Sequence, residues 1–219
     1  MSYYIDADKV KLDDLLIRIK ETDLVPSRSL LLEGIEENFS KLKMNRIFTL
    51  ADFRKSVKNS KNIVPLAEKT NINIEYLTLL RREVEGYFPK AFPLSDFVWL
   101  DKNEIAKLEN KGYKNTALLY EALETSSKRE EIFSSGVLDN DFVDEISSLV
   151  GLTRIQWVSP TAARMLFDSG YKDAKSVAEA NAEELYRSLE KVNDANKYFK
   201  GNIGLRDVKR LIKAASYVL

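Results

Sequence analysis

The strongest constraint on the fold is a segment that occurs twice, 58 residues apart. Trp99 stands 13 positions before Gly112, and Trp157 stands 13 positions before Gly170. Both glycines are followed by a tyrosine and a lysine. The same residues at the same spacing indicate a repeated structural unit.

Each tryptophan precedes a signal for the start of a helix. Asp101 with Glu104 has the pattern of a capping box, and Ser159 followed by Pro160 has the pattern of an N-cap with proline in the first turn. Apolar residues then recur at the spacing of a helix with one buried face. We therefore expect both tryptophans to lie just before a helix.

The two repeated glycines predict where these helices end. Glycine takes the left-handed backbone conformation that closes a helix without strain. We expect Gly112 and Gly170 to adopt it, and we expect Asn115 and Asp173 to cap a second helix. The pattern predicted for each segment is helix, tight turn, helix.

A third copy lies earlier in the chain, shifted by 66 positions. Residues 47–49 match residues 113–115, with Arg46 in place of the turn glycine. The same shift carries residues 72–77 onto residues 138–143, so the connecting helices repeat as well. With only 8 Gly and 5 Pro in 219 residues, the composition also favours helices joined by short connections.

From these repeats we predict an all-α protein of three degenerate helix-hairpin-helix-like units with connecting helices. The predicted parts are an N-terminal helix and lead-in at 1–30, followed by units at 31–93, 94–151 and 152–219. The last unit includes a C-terminal helix. We expect the clearest break between the first unit and the others at residues 88–93, which contain two prolines.

The sequence contains no Cys and no His, which excludes several kinds of catalytic and metal-binding site. Without Cys there is no disulfide, thiolate nucleophile or Cys-ligated metal, and without His there is no Ser-His-Asp triad. We predict that the protein is not an enzyme and uses no catalytic residue, cofactor or metal. Chemistry based on carboxylates alone stays open as a third function.

The N-terminal residues lack the basic region and apolar run of a signal peptide, and no stretch approaches the roughly 20 apolar residues of a membrane span. We expect a cytoplasmic protein with no membrane partner.

The 34 basic and 34 acidic side chains cancel overall but alternate in blocks. The net charge is −4 for residues 1–40, +7 for 41–82, −7 for 83–150 and +4 for 151–219. The +7 block holds the best candidate nucleic-acid-binding surface, Lys41, Lys43, Arg46, Arg54, Lys55, Lys58 and Lys61. If one helix continued through this block, Arg54, Lys58 and Lys61 would share a face. A solvated helix surface is the ordinary alternative, and the basic residues of the last block have the same two interpretations.

Six segments carry a resemblance to a known family: Thr22–Arg28, Leu31–Ile35, Tyr76–Glu83, Leu152–Gln156, Glu184–Tyr186 and Lys191–Asn193. Through them the sequence resembles DUF4332, a bacterial and archaeal family of helical proteins whose units resemble helix-hairpin-helix modules. The resemblance covers nearly the whole chain. It implies helical repeats and no particular activity.

The broader helix-hairpin-helix class implies sequence-nonspecific DNA binding through backbone N–H groups of a glycine-containing hairpin. This sequence departs from that pattern. Trp157 and Ser159 stand at the glycine positions of the third unit, and Trp99 and Asp101 at those of the second. The first unit keeps Gly34 but places two glutamates where a phosphate would dock. Since Ser and Asp cap the free amides, we do not expect phosphate binding by these hairpins.

Trp99 and Trp157 have two interpretations, exposed anchors for a partner or packing between successive units. Their shared position in two repeats favours packing. The leading functional hypothesis is a non-catalytic interaction or scaffold protein whose unknown macromolecular partner is a protein rather than a nucleic acid. The alternative is weak, sequence-nonspecific nucleic-acid binding through the basic face.

Overall fold

The structure, a computed structural model, describes residues 2–124, 127, 130, 132 and 139–218. Over these residues the protein is helical and contains no β-strand, which confirms the predicted all-α class. Its contacts divide the chain into two compact units. The N-terminal unit is Asp6–Tyr87, and the C-terminal unit combines Met1–Ile5 with Phe88–Leu219.

The N-terminal unit contains five α-helices and one 3₁₀ helix among the described residues. They are α1 (Leu12–Glu21), the 3₁₀ helix Pro26–Leu32, α2 (Ile35–Met44), α3 (Leu50–Ser56), α4 (Ser60–Thr70) and α5 (Ile74–Glu85). On α1 the side chains of Leu12, Leu15 and Ile19 are buried, as their i, i+3, i+7 spacing predicts. Helix α1 packs on α2, and α5 packs on α4 and on the 3₁₀ helix.

The C-terminal unit contains seven α-helices and one 3₁₀ helix among the described residues. They are the 3₁₀ helix Leu94–Asp96, α6 (Lys102–Asn110), α7 (Thr116–Leu123), α8 (Asn140–Leu152), α9 (Pro160–Asp168), α10 (Ala174–Ala178), α11 (Ala182–Asn196) and α12 (Leu205–Ala215). Helix α12 packs on α10 and α11, and α9 packs on α8 and α11. Their apolar faces join one core, in which Leu149, Val177 and Leu185 are fully buried.

Two helices begin just after the two tryptophans, at the positions that the predicted N-cap residues indicate. The Asp101 carboxylate accepts from the N–H groups of Asn103 and Glu104 at 2.7 and 3.1 Å, and α6 begins at Lys102. The expected capping box is wrong in its second half, because the Glu104 carboxylate accepts from Lys107 at 2.5 Å. The Ser159 hydroxyl accepts from the N–H of Ala162 at 3.2 Å and caps α9.

Three helix ends share one hydrogen-bonding pattern. Gly112 and Gly170 have φ values of 96° and 92°, and Arg46 takes the same left-handed region at 62°. The residue after each donates its N–H to the carbonyl five positions earlier, at 3.0, 2.9 and 3.2 Å respectively. This is the Schellman closure expected of a helix that ends at a left-handed residue.

A short backbone pairing also occurs in both units. Lys11 bridges Thr49 in the N-terminal unit, and Pro93 bridges Asn115 in the C-terminal unit. Thr49 and Asn115 are 66 positions apart, the shift found in the sequence. The features that recur in the structure are turns, helix caps and this backbone pairing. The division into three repeated units stays a prediction, and Leu138 of the repeated connecting segment lies outside the described residues.

Candidate interaction site

Trp157 has an unusual backbone conformation for its residue type. Its φ is 69°, in the left-handed region, where a side chain costs about 1–2 kcal/mol because Cβ crowds the backbone. The sequence places this residue at a glycine position of the hairpin, and Gly34 in the first hairpin has a φ of 56°. The indole is 51% exposed. The chain therefore accepts backbone strain to hold a half-exposed tryptophan in front of α9.

A cavity of about 410 Å³ opens beside Trp157. It lies between the start of α9, α11, α12 and the connection 197–204. Its lining is mostly apolar, with side chains that include Val158, Met165, Leu166, Leu189, Ile203 and Val208. A cavity of this size and character accommodates a small ligand or the apolar side chains of a partner.

Phe199 lines the same cavity and is 50% exposed. Its backbone is held by the side chain of Asn193, which accepts from the Phe199 N–H at 2.7 Å and donates to the Phe199 carbonyl at 3.0 Å. Helix α11 ends shortly before it, at Asn196, and the C-cap residue Lys197 has a left-handed φ of 55°. These contacts fix the position of Phe199 although its ring faces solvent in part.

Arg210 on α12 is the cation of the cavity. Its guanidinium carbon lies 4.5 Å from the centre of the Trp157 ring, within the range of a cation–π contact. Only 17% of the side chain is exposed, and its Nε is buried with no hydrogen-bond partner in the described residues. Its ion pair with Asp207, from Nη1 to Oδ1, is long at 3.8 Å.

Trp99 has a different environment from Trp157. It is partly buried and packs on the core of the C-terminal unit. Its ring lies 5.9 Å from Phe97 and 6.3 Å from Tyr198, and its Nε1 is buried without a partner in the described residues. The two repeated tryptophans thus occupy equivalent positions in sequence while one faces the core and the other a solvent-accessible cavity.

The candidate nucleic-acid residues lie in the N-terminal unit, where three of the seven have acidic partners. Lys41 pairs with Glu37, Lys43 with Asp13 and Arg54 with Glu85. The single helix face expected for three of the cations is wrong. Helix α3 ends at Ser56 and α4 begins at Ser60, so the chain turns between Arg54 and Lys61.

The remaining four cations are exposed. Lys55, Lys58 and Lys61 surround the connection between α3 and α4, and Arg46 follows α2. Arg46, Lys58 and Lys61 make no ion pair within the described chain. The basic residues of the last charge block, Arg210 included, belong to the other unit.

A buried polar cluster in the C-terminal unit was not predicted from the sequence. The Tyr3 hydroxyl donates to the carbonyl of Lys90 at 2.6 Å and lies 3.0 Å from the hydroxyls of Thr116 and Thr153. Burial raises the pKa of Tyr3, so the phenol stays neutral and able to donate. Arg154 lies over the Tyr120 ring at 4.5 Å.

This cluster is closed by hydrogen bonds and has no access for a ligand in the described structure. Thr116 accepts from the N–H of Phe92 at 3.0 Å, and Thr153 donates to the carbonyl of Val150 at 2.7 Å. No periodicity or motif marks Tyr3, because its partners are 113 and 150 positions away.

Across the described ranges, no group of three or more acidic side chains is placed to hold a metal ion. None of the helices described has the combination of length and apolar character that crossing a bilayer requires.

Comparison with known proteins gives one match. The model of a family described as a domain of unknown function, DUF4332, matches residues 100–217, more than half of the chain. The protein belongs to this family. The match includes Trp157, Phe199 and Arg210, whereas the resembling segments before residue 100 lie outside it. No curated protein sequence and no solved structure matches the chain.

Proposed function

We propose that the protein is a non-catalytic interaction protein that binds an apolar segment of a protein partner in the Trp157 cavity. The observation that carries this proposal is the half-exposed pair Trp157 and Phe199, both of which line one apolar cavity. Exposed aromatic side chains around an apolar pocket with an arginine have the composition of a protein-binding hot spot.

A protein segment fits this surface better than a small molecule. Small-molecule sites usually enclose most of their ligand, whereas Trp157 and Phe199, which line this cavity, are each about half exposed. A partner that inserts a side chain and also covers these rings would bury all of the apolar surface. A side chain of leucine size contributes about 1.5–3 kcal/mol when fully buried.

The strain at Trp157 also supports a binding role. Strained backbone persists at functional sites because the surrounding structure holds it, and its cost is tolerated for what the side chain does there. A tryptophan that served packing alone would be buried as Trp99 is, with no need of a left-handed backbone.

Selection from a displayed peptide library on the full chain tests the proposal. Peptides selected on the wild type should bind at least tenfold more weakly to Trp157→Gly, and to Ala162→Arg, which fills the cavity. Val98→Ala is the matched control, because Val98 is 72% exposed in the same unit and does not line the cavity. Failure to select peptides, or equal binding to all four proteins, would refute the proposal.

Nucleic-acid binding is a second candidate, supported by one place in the N-terminal unit. Arg46 and Phe48 are both exposed and stand two positions apart in sequence, and Phe48 is 57% exposed; an exposed aromatic ring can stack on a base. Lys58 and Lys61 would add phosphate contacts elsewhere on this unit.

Fluorescence anisotropy with single-stranded and duplex DNA tests this candidate. At about 50 mM salt the affinity should fall for Phe48→Ala with single strands, and for Lys58→Gln/Lys61→Gln with both forms. Absence of binding at this salt concentration would eliminate it. Met44→Ala, a change at a residue 73% exposed on α2, is the control.

A further inference from the structure

We propose that the partner segment is acidic and places an Asp or Glu carboxylate on Arg210 while a neighbouring apolar side chain enters the cavity. This inference rests on the proposed function and adds the chemistry of the partner. It follows from the state of the Arg210 guanidinium, from its contact with Trp157 and from the charge of the surrounding surface.

The guanidinium of Arg210 has an unused donor. Its Nε is buried and has no hydrogen-bond partner in the described chain, although an unpaired buried donor is destabilising by about 1–3 kcal/mol. Asp207 does not satisfy it, because that carboxylate lies 3.8 Å from Nη1 and its own side chain is 65% exposed. The positive charge of Arg210 is therefore only weakly compensated within the described chain, although the residue lines the cavity.

Arg210 reaches the cavity beside Trp157. Its guanidinium carbon lies over the indole, and the five N–H groups of an arginine point outward in the plane of the guanidinium. The indole therefore covers one face of the guanidinium, while Arg210 still lines the cavity. The two terminal nitrogens of an arginine match the two oxygens of a carboxylate in bidentate geometry.

The surface around the cavity favours an acidic partner as well. The last 69 residues carry a net charge of +4, and Lys200 and Lys209 are exposed beside residues that line the cavity. Charge of this sign accelerates the encounter with an acidic segment and disfavours a basic one.

One carboxylate, rather than a nucleic-acid backbone, fits the geometry. Nucleic-acid affinity depends on several cations spaced along the phosphates. Arg210 is the single cation that lines the cavity, and the other lining groups of the described structure are apolar apart from Ser159, Thr161, Asn202 and Asp207. Such a pocket recognises one anionic group next to an apolar one.

The test is a double-mutant cycle on the full chain with fluorescein-labelled peptides selected as described above. Each acidic residue of a peptide is changed to its amide, and each peptide is measured against wild type and Arg210→Gln. We expect Arg210→Gln to weaken binding of the acidic peptide at least tenfold and of its amide version less than twofold. Circular dichroism checks that the variants are folded.

Two further variants identify the group responsible. Lys209→Gln removes the same charge from an exposed neighbour that pairs with Glu183 at 3.7 Å, and it should weaken binding less than twofold. Arg210→Lys keeps the charge without the planar fork and should restore only part of the affinity. Equal losses for Lys209→Gln and Arg210→Gln would show a general charge effect and overturn the inference.

The outcomes also separate this inference from the proposed function. Peptides that lose binding on Trp157→Gly but show no coupling to Arg210 would overturn the acidic partner alone. Peptides that bind equally well to Trp157→Gly would overturn the proposed function and the inference with it.

Discussion

The Arg210 guanidinium lies 4.5 Å from the centre of the Trp157 ring, and the backbone that carries this ring has a φ of 69°. The contact with Arg210 therefore stabilises the conformation of Trp157, whereas its backbone strain destabilises it. The contact with a cation is worth about 0.5–1 kcal/mol at an exposed site and about 2 kcal/mol when desolvated, which is close to the cost of about 1–2 kcal/mol for the left-handed conformation. The two contributions roughly cancel, and we propose that the role of Trp157 is to bind a partner.

Replacement of Trp157 by glycine should therefore leave stability nearly unchanged. Glycine adopts a φ of 69° without strain, which offsets the lost contacts and the greater freedom of the unfolded chain. We expect a free energy of unfolding within about 1 kcal/mol of wild type, measured by urea denaturation. Trp99→Ala, which removes a ring packed on the core, should cost about 2–4 kcal/mol. A larger loss for Trp157→Gly than for Trp99→Ala would contradict this view.

Gly112, Gly151 and Gly170 of the C-terminal unit give a matched test of backbone conformation. Gly112→Ala and Gly170→Ala should each destabilise by about 1 kcal/mol or more, because alanine is strained at φ values of 96° and 92°. Gly151→Ala should stabilise by about 0.5–1 kcal/mol, because Gly151 lies within α8 and alanine is the better helix former. A built Cβ meets nothing within 4 Å at any of the three positions, so clashes do not confuse the comparison. Thermal unfolding of the three variants measures the difference, and a Gly151→Ala protein less stable than the others would refute it.

Tyr3→Phe should destabilise the C-terminal unit by about 1–3 kcal/mol. Loss of the hydroxyl removes the donor to the Lys90 carbonyl and leaves the buried Thr116 hydroxyl without this acceptor. Tyr4→Phe is the control, since that ring is 42% exposed, and it should change stability by less than about 0.5 kcal/mol. Urea denaturation of both variants provides the measurement. Equal stabilities would show that the cluster is energetically neutral.

The capping box of α3 predicts a dependence on pH. The N–H groups of Phe48 and Thr49 each donate to the Asp52 carboxylate at 3.0 Å, and they hold its pKa below the ordinary value of 3.8. A folded-state pKa below the unfolded one adds stability that is present above the unfolded pKa and is lost as the pH falls through the folded pKa.

Asp52→Asn should therefore be less stable than wild type at pH 7, and the gap should close as the pH falls below about 4. Glu68→Gln, a change at an exposed residue of α4, serves as control. Urea midpoints at pH 7, 5 and 3 measure the gap, and a constant gap at all three values would contradict the role given to Asp52.

Local features of this fold were accessible from the sequence because each depends on few neighbouring residues. Asp101, Ser159 and Asp173 cap helices as predicted, and Gly112 and Gly170 end them. Even Arg46, which lacks the chemistry of a turn residue, was located by the repeat and takes the left-handed conformation. The wrong prediction of one helix through Arg54, Lys58 and Lys61 also has a local cause. Asn59 caps α4 three residues after α3 ends, and no glycine or proline marks that break.

The cavity was not predictable, because it depends on residues that are distant from one another in the sequence. It is assembled from α9, α11, α12 and the connection between the last two, which come together only through tertiary packing. Phe199 stands among polar residues without a periodic pattern, and Arg210 belongs to a helix whose three other cations do not line the cavity. The repeat located Trp157, but the sequence alone favoured packing over exposure for it.

The placement of Tyr3 determines which fragments of the chain keep the C-terminal unit intact. The chain leaves the C-terminal unit after Ile5 and returns to it at Phe88, so residues 6–87 form an insertion within that unit. A fragment cut at residue 88, or at the limits of the family match, would omit Tyr3 and open the cavity that its ring now fills. A faithful minimal fragment would instead join residues 2–5 to residue 88 through a short designed linker, so that the insertion is removed and the N-terminal tether is kept.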